Sequence, residues 1–177
     1  FGLTTLERRH VRRHGASLAF GFVGKSGIEH HVRIEDRPVI EALQVMRQRA
    51  GGDRLLAYRQ GSEWLDLASG TVNAYLSELF GGDFTAKDFR TWHATVLFAA
   101  SLALAPPADT KTSRARVVRT SVGEVATYLG NTPTVAKNSY IDPRIVDLYE
   151  SGSTIADAAS RTYRTPAARQ ASLEKAL

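Results

Sequence analysis

Two runs of alternating apolar residues near the start of the chain constrain its fold most strongly. Alternation with a period of two is typical of a strand that buries one face. Glycines frame the segment between the runs, residues 24–27, and allow a tight turn. The sequence therefore predicts a β-hairpin with Lys25 at its tip, which forms a small antiparallel sheet with residues 3–6 and 10–13. The residues sharing one face are Leu18, Phe20 and Phe22 in the first run and Ile28, His30, Val32 and Ile34 in the second.

Beyond residue 35 the apolar residues recur at helical spacing, and proline and glycine mark the ends of the segments. Residues 55–58 and 64–67 predict a linking segment, and the polar and basic residues 108–116 predict a mobile loop. The expected fold class is α+β and mainly α, with a sheet region over residues 1–35 and a helical region over residues 36–177. The predicted helices run from 36–38 to 51–52, from 69–71 to 81–82, from 85 to 105, from 117 to 129, from 133 to 140 and from 143 to 149, with further helical segments at 155–159 and 167–177.

The composition excludes several classes of protein. A chain of 177 residues with 43% hydrophobic content is long enough for one well-buried domain. The absence of cysteine excludes disulfides, thiol catalysis and thiolate metal sites. The longest apolar run, residues 96–105, is too short to cross a bilayer, so we expect a cytoplasmic or nucleoid protein. A net charge of +5 permits contacts with nucleic-acid phosphates without requiring them.

The segment LGNTPTVAKNSY, residues 129–140, carries a candidate nucleophile. Tyr140 falls on a short predicted helix opened by Thr132 and Pro133, and the amide of Asn131 precedes it by nine residues. A phenol with a pKa near ~10 is a poor nucleophile at neutral pH, so a site using one must stabilise the phenolate and the transition state with fixed cations. From periodicity alone, Tyr140 is more often a packing residue whose hydroxyl bonds to a neighbour.

Taken in order, four short motifs resemble the catalytic domain of type IB DNA topoisomerases of the small poxvirus-like and bacterial kind. They are GLTTL at residues 2–6, FVGK at 22–25, KDFRT at 87–91, and Tyr140 with the following Ile141 and Asp142. The resemblance covers most of the chain. It implies a fold shared with tyrosine recombinases, double-stranded DNA as the partner, and relaxation of supercoils by strand rotation between nicking and religation. It also implies a 3'-phosphotyrosyl intermediate on Tyr140, with no ATP, metal or other cofactor.

The resemblance also assigns roles to basic residues. Arg90 matches an arginine that contacts the non-bridging phosphate oxygens, a role that suits its planar guanidinium. Lys25 matches a hairpin lysine that protonates the leaving 5'-oxygen. Lys87 and Lys137 resemble positions near phosphate contacts. Without the motifs, a surface ion pair explains Arg90 equally well, and solvation explains Lys87 and Lys137 equally well. Lys25 would then be better explained as a solvated lysine in a turn.

Two features depart from the family pattern. Asn131 stands where related enzymes often have histidine; its amide is able to donate a hydrogen bond to phosphate but not to titrate. The family's other active-site arginine lies ahead of the GLTTL motif. We therefore expect a longer working protein, a monomer whose DNA clamp is completed by an N-terminal domain. His93 matches no functional position and is expected to be structural or exposed to solvent.

Two alternatives remain open from the sequence. A tyrosine recombinase catalytic domain shares the fold, but recombinases usually carry H-x-x-R, and Lys87 stands here in the histidine position. A catalytically inactive DNA-binding module on the same scaffold is favoured by Asn131 and by the arginine that is expected upstream. Covalent capture of DNA by Tyr140 would exclude the inactive module.

Overall fold

A computed structural model describes residues 1–24 and 27–177. Two compact units are present, Phe1–Thr85 and Ala86–Leu177. The architecture is mainly helical with small antiparallel sheets, which confirms the predicted α+β class. Over the described ranges, no helix combines the length and the apolar character needed to cross a membrane.

The first unit contains a three-stranded antiparallel sheet with the order β1-β2-β3. The strands are β1 Val11–His14, β2 Ser17–Val23 and β3 Glu29–Ile34. Leu18 pairs with Ile34, and Phe20 pairs with both Val11 and Val32, so the predicted hairpin has the expected apolar face. That face packs onto a buried cluster formed by Leu6, Val11, Leu18, Phe20, Ile40, Leu43 and Leu55.

The start of the chain differs from the prediction, because residues 3–6 form no strand. Leu3–Thr5 is instead a single 3₁₀ turn. The Thr5 hydroxyl accepts a hydrogen bond from the Gly2 N–H at 2.8 Å, and such local bonds compete with strand pairing. A second 3₁₀ turn, Arg8–His10, delays the first strand until Val11.

The rest of the first unit consists of two helices around a second small sheet. Helix α1, Arg37–Gln48, begins where the Asp36 carboxylate accepts a hydrogen bond from the Val39 N–H. Strands β4, Ala57–Gln60, and β5, Glu63–Asp66, form an antiparallel hairpin, so the prediction of a linking segment was wrong. A left-handed Gly61 permits the tight turn. At the open end of the hairpin, the buried Arg49 side chain bonds to the Leu55 and Arg54 carbonyls and to the Asp66 carboxylate. Helix α2, Ser69–Phe80, follows without a side-chain N-cap and ends at Gly81.

The second unit is helical and is organised around α3, Ala86–Leu104, against which each later helix packs. Phe98, Val96 and Leu173 are fully shielded from solvent in its core. Helix α4 begins at Lys111, so the predicted loop over residues 108–116 extends only to Thr110. Thr110 stops the loop because its hydroxyl caps the helix by accepting the Ser113 N–H. The remaining elements are α4 Lys111–Leu129, α5 Pro133–Tyr140, α6 Arg144–Glu150, α7 Ala156–Ala159 and α8 Pro166–Ala176.

Candidate active site

A tight turn between α4 and α5 carries the first site residue. Gly130 ends α4 in the left-handed region, with φ of 65°, where glycine is favoured over other residues. The Asn131 N–H then donates back to the Ala126 carbonyl at 2.9 Å. Thr132 caps α5 by accepting the Val135 N–H, and Pro133 occupies the first helical turn. The sequence predicted both helix ends, and together they hold Asn131 between two fixed helices.

Tyr140 ends α5 beneath two cations from the first turn of α3. The Lys87 Nζ lies 5.7 Å and the Arg90 guanidinium carbon 5.3 Å from the centroid of the Tyr140 ring. Both distances lie within the range of cation–π attraction. Neither cation forms an ion pair with a carboxylate of the described chain. The positive charge around Tyr140 is therefore available to an external anion.

Tyr140 combines a hydroxyl without a partner and two cations at its ring. The Tyr140 residue is half-buried, yet its hydroxyl makes no hydrogen bond with any described residue. By contrast, Tyr163 in the same unit bonds to the Ala158 carbonyl at 2.8 Å and to the Ser172 hydroxyl at 2.7 Å. The hydroxyl of a buried packing tyrosine usually forms hydrogen bonds with neighbouring residues, as that of Tyr163 does. Tyr149 is also half-buried without a hydroxyl partner, so it is the pair of cations at the ring that sets Tyr140 apart from the other tyrosines of this unit.

Arg90 links the start of α3 to the end of α4. One of its terminal N–H groups donates to the Leu129 carbonyl, in the last turn of α4. Carbonyls at a helix C-terminus lack partners within the helix and carry partial negative charge, so this bond orients the guanidinium. Arg90 makes no second hydrogen bond within the described chain, and a guanidinium has five N–H groups to donate. Most of its donor capacity remains for a ligand.

Asn131 carries a buried donor without an acceptor. Its side-chain Nδ2 is fully shielded from solvent and has no hydrogen-bond partner in the described structure. Leaving a buried donor unpaired costs roughly 1–3 kcal/mol, and such groups are rare in native proteins. A ligand oxygen would satisfy this donor. The arrangement therefore supports the interpretation of Asn131 as a donor to a bound anion.

A buried threonine fixes the backbone on the far side of Tyr140. The Thr95 hydroxyl donates to the Tyr140 carbonyl at 3.3 Å and accepts the Asp142 N–H at 3.1 Å. The Asp142 carboxylate accepts hydrogen bonds from the Arg144 side chain, which lower the pKa of Asp142. Sequence reasoning missed Thr95, because a threonine within the apolar pattern of α3 gives no indication of a partner 45 residues away.

The structure describes two of the other residues considered in the sequence, Lys137 and His93, and neither contacts the Tyr140 ring. Lys25 lies outside the described residues, so its role stays a prediction. Lys137 is exposed on α5 and lines a separate cavity of about 540 Å³, with no hydrogen bond or ion pair to the described chain. His93 lies between the Tyr128 hydroxyl at 3.1 Å and the Gln170 amide at 3.2 Å, which is a structural position. No cluster of His, Asp and Glu in the described ranges is arranged to hold a metal ion.

Lys87 and Arg90 thus lie at the Tyr140 ring, and Arg90 also bonds to the Leu129 carbonyl two residues before Asn131. Comparison with known proteins identifies the family. Residues 1–165 match the family model described as eukaryotic DNA topoisomerase I, catalytic core. Because this match covers most of the chain, the protein belongs to the DNA topoisomerase I family, as the motifs predicted.

A viral relative agrees with this assignment. The chain is 27% identical over 159 residues to DNA topoisomerase 1B of Acanthamoeba polyphaga mimivirus. The aligned region covers 85% of this chain and 47% of that protein. The chain thus spans about half the length of the relative.

Proposed function

We propose that this chain is the catalytic domain of a type IB DNA topoisomerase that relaxes supercoiled double-stranded DNA through transient single-strand cleavage. The observation that carries the proposal is the position of Tyr140, whose hydroxyl has no partner in the described chain and whose ring lies under Lys87 and Arg90. A scissile phosphate bound by these cations would lie beside the phenol.

The chemistry that fits these residues is a transesterification. The Tyr140 oxygen attacks the phosphorus and loses its proton to solvent, so that a phosphotyrosyl bond forms at the 3' end. The bond from phosphorus to the 5'-oxygen breaks, and Lys25 supplies the proton for that leaving oxygen. One phosphodiester replaces another, so the bond energy is retained and no ATP is needed. Religation is the same step in reverse, after the free strand has rotated.

Two further groups would stabilise the transition state. Arg90 would bind two non-bridging oxygens in the planar geometry that suits a guanidinium. The buried Asn131 amide would donate to one of the same oxygens, which provides the acceptor it lacks in the free protein. Lys87 and the exposed Lys137 would contact neighbouring phosphates of the DNA backbone.

The proposal extends to the context of the domain. The family resemblance places a second active-site arginine ahead of the GLTTL motif, so the proposal includes an N-terminal domain that completes a monomeric clamp around the duplex. The resemblance to the poxvirus-like and bacterial enzymes leads us to include action in the cytoplasm, at the nucleoid, in the proposal.

Capture of the covalent intermediate tests the proposal. A duplex with a 5'-labelled scissile strand, nicked so that the cleaved fragment diffuses away, is incubated with the protein and analysed on a denaturing gel. We expect an adduct for the wild type and for Tyr149→Phe, a control in the same unit, and none for Tyr140→Phe. Plasmid relaxation by the same preparation then separates a topoisomerase from a recombinase.

Two results would overturn the proposal. Strand exchange between duplexes without relaxation would indicate a recombinase. If neither this chain nor the longest natural version of the polypeptide forms an adduct, the protein is a DNA-binding module that does not cleave.

A further inference from the structure

Thr95 is a buried polar residue in the otherwise apolar middle of α3. Only 4% of its surface is exposed, and its neighbours in sequence, Ala94 and Val96, are fully buried core residues. Its hydroxyl bonds on both sides to the backbone around the end of α5, at the Tyr140 carbonyl and the Asp142 N–H. This single hydroxyl therefore satisfies a carbonyl that the C-terminus of α5 leaves unpaired and the N–H of a residue in the following turn.

This use of a helical threonine differs from the usual one. A threonine within a helix commonly donates to the carbonyl four residues earlier, as Thr127 does to Gly123 at 3.0 Å and Thr91 does to Lys87 at 3.2 Å. Thr95 instead bonds to another helix. Both hydrogen bonds of its hydroxyl are made to the segment that carries Tyr140.

The position of Thr95 along α3 connects this bond to the site. Thr95 lies five residues after Arg90, which corresponds to about 7.5 Å along the axis of an α-helix. Both residues belong to one continuous helix, Ala86–Leu104. The same rigid element thus holds the cation at the Tyr140 ring and the backbone from which the ring projects.

We propose that Thr95 is a positioning residue for the nucleophile, which sets the place of the Tyr140 hydroxyl relative to a phosphate bound at Arg90. This inference rests on the proposed function. Thr95 itself touches no reacting atom. Its effect passes through the Tyr140 backbone, where a displacement of about 1 Å is enough to slow a reaction roughly 100-fold.

Single-turnover cleavage at saturating DNA tests the proposal. Thr95→Val keeps the shape of the side chain and removes the hydroxyl, whereas Thr95→Ser keeps the hydroxyl. We expect Thr95→Val to lower the cleavage rate constant by roughly 10- to 100-fold with unchanged DNA affinity, because the nucleophile is misplaced rather than absent. Thr95→Ser should stay within about threefold of the wild type, since it retains both hydrogen bonds.

The rate constant is the informative quantity. A purely structural role would lower the melting temperature or the fraction of protein that reacts, while the folded molecules would still cleave at the wild-type rate. Thr127→Val provides the matched control, because it removes a helical threonine hydroxyl that bonds only within its own helix. If Thr95→Val does not fold, Thr95→Ala and Thr95→Ser give the same comparison, since they differ only by the hydroxyl oxygen.

The outcomes separate this inference from the proposed function. If neither the wild-type chain nor the longest natural version of the polypeptide forms an adduct, the proposed function and this assignment are both overturned. A wild type that cleaves, with the valine or alanine variant at the same rate constant, overturns the role of Thr95 alone. Equal impairment of the serine and valine variants would also reject it, because the hydroxyl would not be the group that matters.

Discussion

At the scale of single residues, the buried amide of Asn131 lowers the stability of the free protein and, in the proposed function, donates a hydrogen bond to the bound phosphate. Burying its Nδ2 without an acceptor destabilises the free protein, and no compensating bond is present in the described chain. Groups of this kind cluster at functional sites, where a ligand completes them. Asn131 also differs from a histidine in that it has no proton to exchange near neutral pH.

Substitution of Asn131 should therefore separate activity from stability. We expect Asn131→Ala to lower the cleavage rate roughly 100-fold, the usual cost of removing one fixed donor to a transition-state oxygen. The melting temperature should not fall, because no hydrogen bond of the free protein is lost. Rates and thermal melts measured on the same samples check this, with Asn138→Ala on exposed α5 as the control. A parallel loss of stability and activity would contradict it.

At the scale of elements, α5 is held at both ends by different means. Its N-terminus is fixed locally by Thr132 and Pro133. Its C-terminus is fixed by Thr95 and continues into α6 through Asp142, whose carboxylate accepts the Arg144 N–H at 2.9 Å. The hydrogen bond from the Arg144 side chain is the main reason that the pKa of Asp142 is lowered from its ordinary value of 3.8.

This lowered pKa predicts a pH-dependent contribution to stability. A carboxylate whose pKa is lower in the folded than in the unfolded state stabilises the fold at pH values above its unfolded-state pKa. This stabilisation is lost as the pH falls through the folded-state pKa. We expect Asp142→Asn to lower the melting temperature at pH 7 by a small amount, roughly 1–2 °C, because Arg144 is largely exposed. Melts below pH 4 should show the difference shrinking towards zero. The exposed Asp53→Asn is the control, and a difference that persists in acid would contradict the assignment to the charge.

At the scale of the whole molecule, each of the two units contains its own hydrophobic cluster. The cluster around Leu55 belongs to Phe1–Thr85 and the cluster around Leu173 belongs to Ala86–Leu177, with no residue in common. The two tryptophans divide in the same way, with Trp64 in the first unit and Trp92 in the second. Each unit therefore has its own fluorescent reporter.

Core truncations should act on the unit that contains them. We expect Leu173→Ala to cost the second unit about 2–5 kcal/mol, because its side chain is fully buried and leaves a cavity. Denaturant unfolding in single-tryptophan backgrounds should show the Trp92 transition shifting while the Trp64 transition stays. Leu55→Ala should give the reverse. A joint shift of both transitions would mean that the chain unfolds as one cooperative unit.

The sequence by itself determined the features that local physics controls. Alternation in β2 and β3 fixed which side chains share a face, because the period of a strand leaves no other choice. Gly130, Thr132 and Pro133 fixed the helix ends beside the site, since left-handed backbone, capping and a preset φ are properties of single residues. The family motifs also predict functional roles for Tyr140 and Arg90 from the sequence alone.

Only the tertiary structure decided which of these residues meet. The hydrogen bonds from Arg90 to Leu129 and from Thr95 to Tyr140 join residues about 40 or more positions apart. The unsatisfied amide of Asn131 is a consequence of its burial. The sequence also did not predict the β4–β5 hairpin. The buried Arg49 side chain bonds there to the Leu55 carbonyl and to the Asp66 carboxylate. Such contacts depend on how whole helices and strands pack, and no local sequence pattern specifies which distant residues come into contact.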